Sequence, residues 1–371
     1  MVDDAPLGMV LAKVRRVKPA PDGTHADSAG RRSRVGGAAR PTASITMEDV
    51  AREAGVSRAL VSIAMRDAPG VKASTREHIL SVARGLGYRH NRVAADLAGR
   101  GAGAIGVFIA DLHNDLYAEV FDGIRDTLDP GGRRVVLTVG SRDGSLDAQG
   151  LDGLLEARVG ASIALGVRLD DADLRARSAV GPLVVATRSV PGMLSATSDD
   201  VAGARLATTH LLGLGHRRIA FLANPPGDGY LGRRQGFEAT MREAGLTPQV
   251  RVSSYDAALV RSHARALLAS DTPPTAIFAH NDRAAVAVLG AIADLGLRCP
   301  EDVSVVGYDG AEAAALPGIE LSTVDSRARE VGQLAARIAL ARLRDEVEDP
   351  VSTTIPPHLI SRRTTARPAD A

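Results

Sequence analysis

Nine histidines and a single cysteine, Cys299, are the side chains on which metal or nucleophilic chemistry would rest. His210 and His216 stand six residues apart across an expected helix end, so they share no face from which to chelate an ion. Gly101-Ala102-Gly103-Ala104 precedes a strand instead of following one, so it is no phosphate loop. No Gly-x-Ser-x-Gly elbow occurs, and no nucleophile and base stand in a supporting context. We therefore expect no enzyme, no cofactor and no metal. What remains is recognition chemistry. Arg58, Ala59, Ser62, Ile63 and Arg66 fall on one face of a short helix, where they can meet base edges and phosphates.

That face needs a scaffold, and residues 45–90 supply its signals. Thr46 stands three residues before Asp49, a variant of the capping box, and Val50, Ala51 and Ala54 follow on one side. Gly55 can take the left-handed conformation of a tight turn. Ser57 can cap the next helix, Arg58 to Arg66, whose inner face is Leu60, Val61, Ala64 and Met65. Ser74-Thr75-Arg76-Glu77 reads as a second capping box, opening a helix with Ile79, Leu80, Val82, Ala83 and Leu86 inward and Gly87 as its stop. The Ala54-Gly55-Val56-Ser57 turn sets the second helix across the first, so its outer face can enter a major groove about 12 Å wide. A bare pattern of this kind also fits an ordinary helical hairpin with solvated charges.

The whole chain of 371 residues suits two or three domains, and 45% hydrophobic residues suffice for buried cores. No apolar run reaches the roughly 18 residues of a membrane span. The apolar stretch Pro6–Ala12 has its acidic residues before it and its basic ones after it, the wrong order for a secretory signal. One cysteine excludes an internal disulfide and points to a reducing compartment, so a cytoplasmic protein is expected. The net charge of +1 hides an asymmetry: residues 1–100 hold 17 Lys/Arg against 10 Asp/Glu, and residues 101–371 hold 28 against 34. A basic front end suits a polyanion, but basic tails are often merely solvated, so charge alone does not decide. Residues 1–44 show no helical or strand period and read as a disordered basic arm, with Arg31, Arg32, Arg34 and Arg40 open to phosphate contact. We favour the plainer alternative, a dispensable extension.

Beyond residue 104, short apolar runs alternate with amphipathic ones. The strand candidates are Ile105–Ala110, Arg134–Val139, Ala161–Gly166, Leu183–Ala186, Arg218–Leu222, Arg251–Ser254, Thr275–Ala279, Val303–Tyr308 and Leu321–Val324. Regular strand–helix alternation implies parallel sheets covered on both faces. So many strands predict two doubly wound lobes with a ligand cleft between them.

The motifs taken in order resemble the lactose-repressor (LacI) family of bacterial regulators. They are Asp49-Val50-Ala51, Ala54-Gly55-Val56-Ser57, Val61-Ser62, Val71, Thr75-Arg76, Leu86-Gly87-Tyr88, Asn91-Arg92-Val93-Ala94 and Leu97-Ala98-Gly99. Ile105-Gly106-Val107, His210-Leu211, Gly215 to Ala220, Arg233 with Gly236-Phe237, Asn281-Asp282 and Val306-Gly307-Tyr308-Asp309 continue the match to about residue 365. The resemblance implies an all-α helix-turn-helix headpiece joined to an α/β, two-lobe, periplasmic-binding-protein-like body of doubly wound parallel sheets. The expected divisions are the arm 1–44, headpiece 45–90, hinge helix and linker 91–103, body 104–367 and tail 368–371. The N-lobe would take about 104–197 and 328–355, and the C-lobe about 198–327 and 356–367.

The resemblance also implies a sequence-specific transcriptional regulator, expected to repress, that binds a palindromic operator as a homodimer and answers a small-molecule effector such as a sugar. DNA contacts would come from Thr46, Ser57, Arg58, Ala59, Ser62, Ile63 and Arg66, and from Asn91, Arg92, Ala94 and Leu97 of the hinge. Leu97 takes the place of a leucine wedged between base pairs; ordinary helix packing is its alternative. The effector contacts implied are Arg233, Asn281 and Asp309. Thr187 stands where Asp is often found, followed by Arg188. Asp111 and the Asn114–Tyr117 loop would line the same cleft, with Tyr117, Phe221 and Tyr230 as a possible aromatic face or as core. Three departures stand out: Ile63 replaces a frequent Arg, His90 a usual Pro, and Ala95 a common polar residue. Ile63 can touch a thymine methyl but cannot read guanine, so the operator does not transfer from relatives. The tail from Ser361 has no leucine heptad for a tetramerising coiled coil. A solute-binding receptor with the same body is the rival, and the headpiece and the missing export signal count against it. Leu97→Ala should weaken specific operator binding and leave effector binding intact; unchanged operator affinity in a filter-binding titration would refute the wedge.

Overall fold

Three short helices pack around Val50, Val61 and Ile79, each fully buried: α1 (Met47–Glu53), α2 (Arg58–Met65) and α3 (Ala73–Gly85). The computed structural model describes residues 45–65, 69–88, 103–141, 143–225, 227, 229–347 and 352–369. The expected arm, Arg66 and the hinge residues Asn91, Arg92, Ala94 and Leu97 lie outside them. The Asp49 N–H donates to the Thr46 hydroxyl at 3.3 Å and the Thr46 N–H donates to the Asp49 carboxylate at 2.9 Å, a reciprocal capping box. Gly55 turns the chain at φ +64°, and the Ser57 hydroxyl accepts the Leu60 N–H at 3.2 Å to start α2. The box expected at Ser74 does not form. Extended Lys72 takes the N-cap position with no side-chain bond, so Ser74 and Thr75 fall inside the first turn of α3.

The body is a separate unit with two six-stranded sheets. Its N-lobe holds β1 (Ile105–Ile109), α4 (Asp115–Leu128), β2 (Val135–Val139), α5 (Asp147–Glu156), β3 (Ala161–Leu165), α6 (Asp171–Ser178), β4 (Leu183–Ala186) and β5 (Leu194–Ser198). The C-lobe holds α7 (Asp200–Gly213), β6 (Ile219–Ala223), α8 (Tyr230–Glu243), β7 (Gln249–Val252), α9 (Ala257–Leu268), β8 (Ala276–Ala279), α10 (Asp282–Asp294), β9 (Ser304–Asp309) and β10 (Ser322–Asp325). The chain then returns to the N-lobe for α11 (Ala328–Leu343) and β11 (Ser352–Ile355), and ends on β12 (His358–Ile360) in the C-lobe. The N-lobe order is β2-β1-β3-β4-β5-β11, all parallel. The C-lobe order is β7-β6-β8-β9-β10-β12, with β12 antiparallel.

Three of these strands escaped the sequence pattern. In β5 and β11 hydroxyl residues interrupt the apolar run, as in Leu194-Ser195-Ala196-Thr197-Ser198, and β12 is only three residues long. Edge strand β7 lies two residues earlier than expected, because its half-exposed residues carry no pattern that pins its ends.

The chain passes between the lobes three times, after β5, β10 and β11. The Asp199 N–H donates to the Ile355 carbonyl at 3.0 Å, tying the first and third passages. Helix α11 lies so close on α4 that a Cβ on Gly332 would stand 1.9 Å from the Val120 carbonyl oxygen. The obstacle is backbone, which cannot swing away. Gly332→Ala should therefore destabilise the body by about 1–3 kcal/mol. Urea unfolding measures it, and a loss inside experimental error would contradict the packing.

Candidate functional sites

The carboxyl ends of parallel strands in both lobes face one cleft, the place where doubly wound sheets take ligands. Asp111, Asn114, Tyr117 and Arg168 line it from the N-lobe. Asn224, Ser254, Tyr255, Asn281 and Arg283 line it from the C-lobe. Only about 50 Å³ admits a water-sized sphere, room for roughly four waters. Contacts between described residues cross it. The Arg168 guanidinium lies 5.4 Å from the centroid of the Tyr255 ring, and Arg283 donates to the His113 carbonyl at 3.3 Å. Asp111 accepts the His113 N–H at 2.9 Å and lies 3.1 Å from its ring Nδ1. Asn281 caps α10 by accepting the Ala284 N–H at 2.9 Å, so its amide N–H groups are what it can offer a ligand. Gly166 makes room for Tyr117, since a Cβ there would meet the phenol oxygen at 2.2 Å.

Beneath the C-lobe wall sits a polar floor built on Arg233. Its Nε donates to Asp200 at 2.9 Å, one Nη to the His280 carbonyl at 2.6 Å and the other to Asp309 at 3.2 Å. The guanidinium carbon lies 3.8 Å from the centroid of the Tyr308 ring. Asp309 closes β9 at φ +108°, a strained conformation for a residue with a side chain. Burial pushes the Asp309 carboxyl up to about 8, against the pull of Arg233. Burial also pushes Asp282 up to about 6, against the hydroxyl of Thr323 at 2.5 Å and the Ala311 N–H at 2.7 Å.

Of the residues expected to bind effector, Asp111, Tyr117 and Asn281 come together on the cleft. Arg233 and Asp309 lie under it, spent on each other and their neighbours. Thr187, at φ +75°, accepts the Gly166 N–H at 3.3 Å, and Arg188 donates to the Leu169 carbonyl at 2.8 Å; neither lines the cleft. Phe221 is corrected outright. It is fully buried, stacked on Phe278 at 4.8 Å between centroids, because β6 turns that side chain toward α7 and α8. Tyr230 is buried in the same cluster. His216 bonds Thr275 at 2.9 Å and the Ala366 carbonyl at 2.9 Å, and His210 bonds Thr365 at 2.9 Å, so both fasten the terminal segment to the C-lobe.

Arg168, Asn224, Ser254, Tyr255 and Arg283 escaped sequence reasoning. Their one signal was position, just past β3, β6 and β7 or in the first turn of α10. Tyr255 also supplies an aromatic face in a chain of no Trp and five Tyr.

On the headpiece, Arg58 and Ala59 of α2 are exposed, and Ser62 and Ile63 half-buried. Arg58 pairs with Glu48 at 2.6 Å, both side chains more than half exposed, a link worth about 0–1 kcal/mol that a phosphate can displace. The hydroxyls of Thr46 and Ser57 are engaged in capping.

Residues 46–91 match the bacterial regulatory proteins of the lacI family, and residues 208–365 match the periplasmic binding protein-like domain. The lactose operon repressor of Escherichia coli (strain K12) is 31% identical over 337 residues, covering 87% of this chain and 91% of that protein. The structure of the lac repressor dimer bound to operator and the anti-inducer ONPF is similar at TM-score 0.79 and 30% identity, over 87% of this chain and 99% of that one. A transcriptional regulator CelR–cellobiose complex is similar at TM-score 0.65 and 27% identity, over 88% and 100%.

The raised Asp282 carboxyl has a measurable consequence. An unfolded Asp loses its proton near 3.9, whereas folded Asp282 keeps it to about 6, so the folded state binds more protons in between and loses stability as pH rises through that window. Asp282→Asn has no such titration. Relative to the native protein it should gain stability from pH 4 to pH 7, by up to about 3 kcal/mol. Parallel pH curves for the two proteins in urea unfolding would show that Asp282 ionises normally.

Proposed function

The chain belongs to the LacI family of bacterial transcriptional regulators, and from that premise we propose that it is a cytoplasmic repressor, binding a palindromic operator as a dimer and releasing it when a small molecule occupies the cleft. It is a regulator and not an enzyme. Among the described residues no helix is long and apolar enough to cross a membrane. The observation that carries the reading is α2, held across α1 by the Gly55 turn with Arg58 and Ala59 outward. Arg58, Ala59, Ser62 and Ile63, with Arg66, are the proposed base and phosphate contacts; Thr46 and Ser57 set the helix starts against the backbone. Asn91, Arg92, Ala94 and Leu97 are proposed as the minor-groove hinge. A dimer follows from one headpiece per half-site.

The cleft is the proposed effector site, with Asp111, Tyr117 and Asn281 as contacts and Arg233 and Asp309 as their support. Bridging contacts such as Arg168 to Tyr255 and Arg283 to His113 must rearrange when a ligand enters, which gives the effector a differential hold on lobe arrangement. A receptor without a DNA role would have no use for the headpiece. In a gel-shift assay, a palindrome from the neighbouring DNA should be bound at least about 10³-fold more tightly than random duplex. Equal affinity for both, with and without candidate ligands, would remove the regulator reading.

A further inference from the structure

Two acidic residues, Glu48 and Asp49, stand side by side in the first turn of α1 and do different things. Asp49 is accounted for by the fold. It accepts the Thr46 N–H at 2.9 Å and the Thr46 hydroxyl at 2.7 Å, and it pairs with Arg52 at 3.0 Å. Glu48 caps nothing. Among the described residues the ionic partner of its carboxylate is Arg58, the first residue of α2, at 2.6 Å. The dipole of α1 favours a carboxylate in that turn, but Asp49 already supplies one. The Arg58 and Glu48 side chains are 68% and 56% exposed, so the pair lies open to whatever α2 meets.

DNA offers these two groups unequal partners. Phosphates accept from Arg58 on any sequence and repel Glu48. Base edges in the major groove offer both kinds: guanine accepts through N7 and O6, and cytosine donates through its N4 amino group. We propose that Glu48 is a specificity-determining residue, which restrains Arg58 from the phosphates of random DNA and is compensated where α2 meets a G·C pair. There Arg58 donates to the guanine and Glu48 accepts from a cytosine amino group. Specificity is a difference of affinities, and a group that costs more on the wrong DNA than on the right DNA raises it without tightening the complex.

This rests on α2 entering the major groove. The test is binding of the full chain, across a salt series, to fluorescent random duplex and to the palindrome from the neighbouring DNA. Glu48→Gln removes the charge and keeps the shape at an exposed position. Glu53→Gln, at the exposed far end of α1, controls for net charge. Glu48→Gln should tighten the random duplex at least about 3-fold more than Glu53→Gln does, and should steepen the salt slope by about 0.9 for each phosphate that Arg58 gains. The ratio of palindrome to random affinity should fall by the same factor or more. In an Arg58→Gln background, Glu48→Gln should lose most of that gain, because the restraint acts through Arg58. A gain no larger than that of Glu53→Gln, or one that persists in full without Arg58, would reduce Glu48 to net charge and overturn the proposal. Equal tightening on the palindrome would overturn it too. In these cases the native chain still prefers its palindrome and the regulator reading stands; a native chain that bound neither duplex would overturn both.

Discussion

A guanidinium that is only 5% exposed has given up nearly all its water, which is tolerable only if its N–H groups find acceptors. Arg233 meets that condition with Asp200, the His280 carbonyl and Asp309, three acceptors on three different elements. The same bonds fix where α7 starts and where β8 and β9 end. Asn281 directly follows His280, and α7 begins where the chain first leaves the N-lobe. The C-lobe wall of the cleft is thus set by a network that does not itself reach the cleft.

Three carboxylates, Asp200, Asp282 and Asp309, gather around one cation. Burial holds Asp282 and Asp309 above the ordinary carboxylate range, so the floor carries less negative charge than its composition suggests. Above it Arg168 is half-buried and Arg283 exposed. The charge of this floor is decided by where each group is buried.

The headpiece works at a smaller scale. Its core is seven buried residues, and its helices are held as much by caps as by packing. Thr46 and Ser57 spend their hydroxyls on backbone N–H groups, which leaves Arg58, Ala59, Ser62 and Ile63 to face outward chemistry. The Arg58–Glu48 pair is exposed and weak enough to yield to a phosphate.

Local spacing was enough to specify the headpiece helices, the Gly55 turn and most of the strands of the body, because each depends on residues within a few positions of one another. It was not enough for β5 and β11, where hydroxyl residues broke the apolar run, nor for the cap of α3, where Lys72 took the N-cap position. The family pattern brought Arg233, Asn281 and Asp309 to notice, but only the tertiary structure decided which of them meet a ligand. Arg233 turns inward because its partners lie 33, 47 and 76 residues away along the chain. Arg168 reaches the cleft because Tyr255, in the other lobe, lies opposite. No period in the sequence carries information over such separations; packing of the two sheets supplies it.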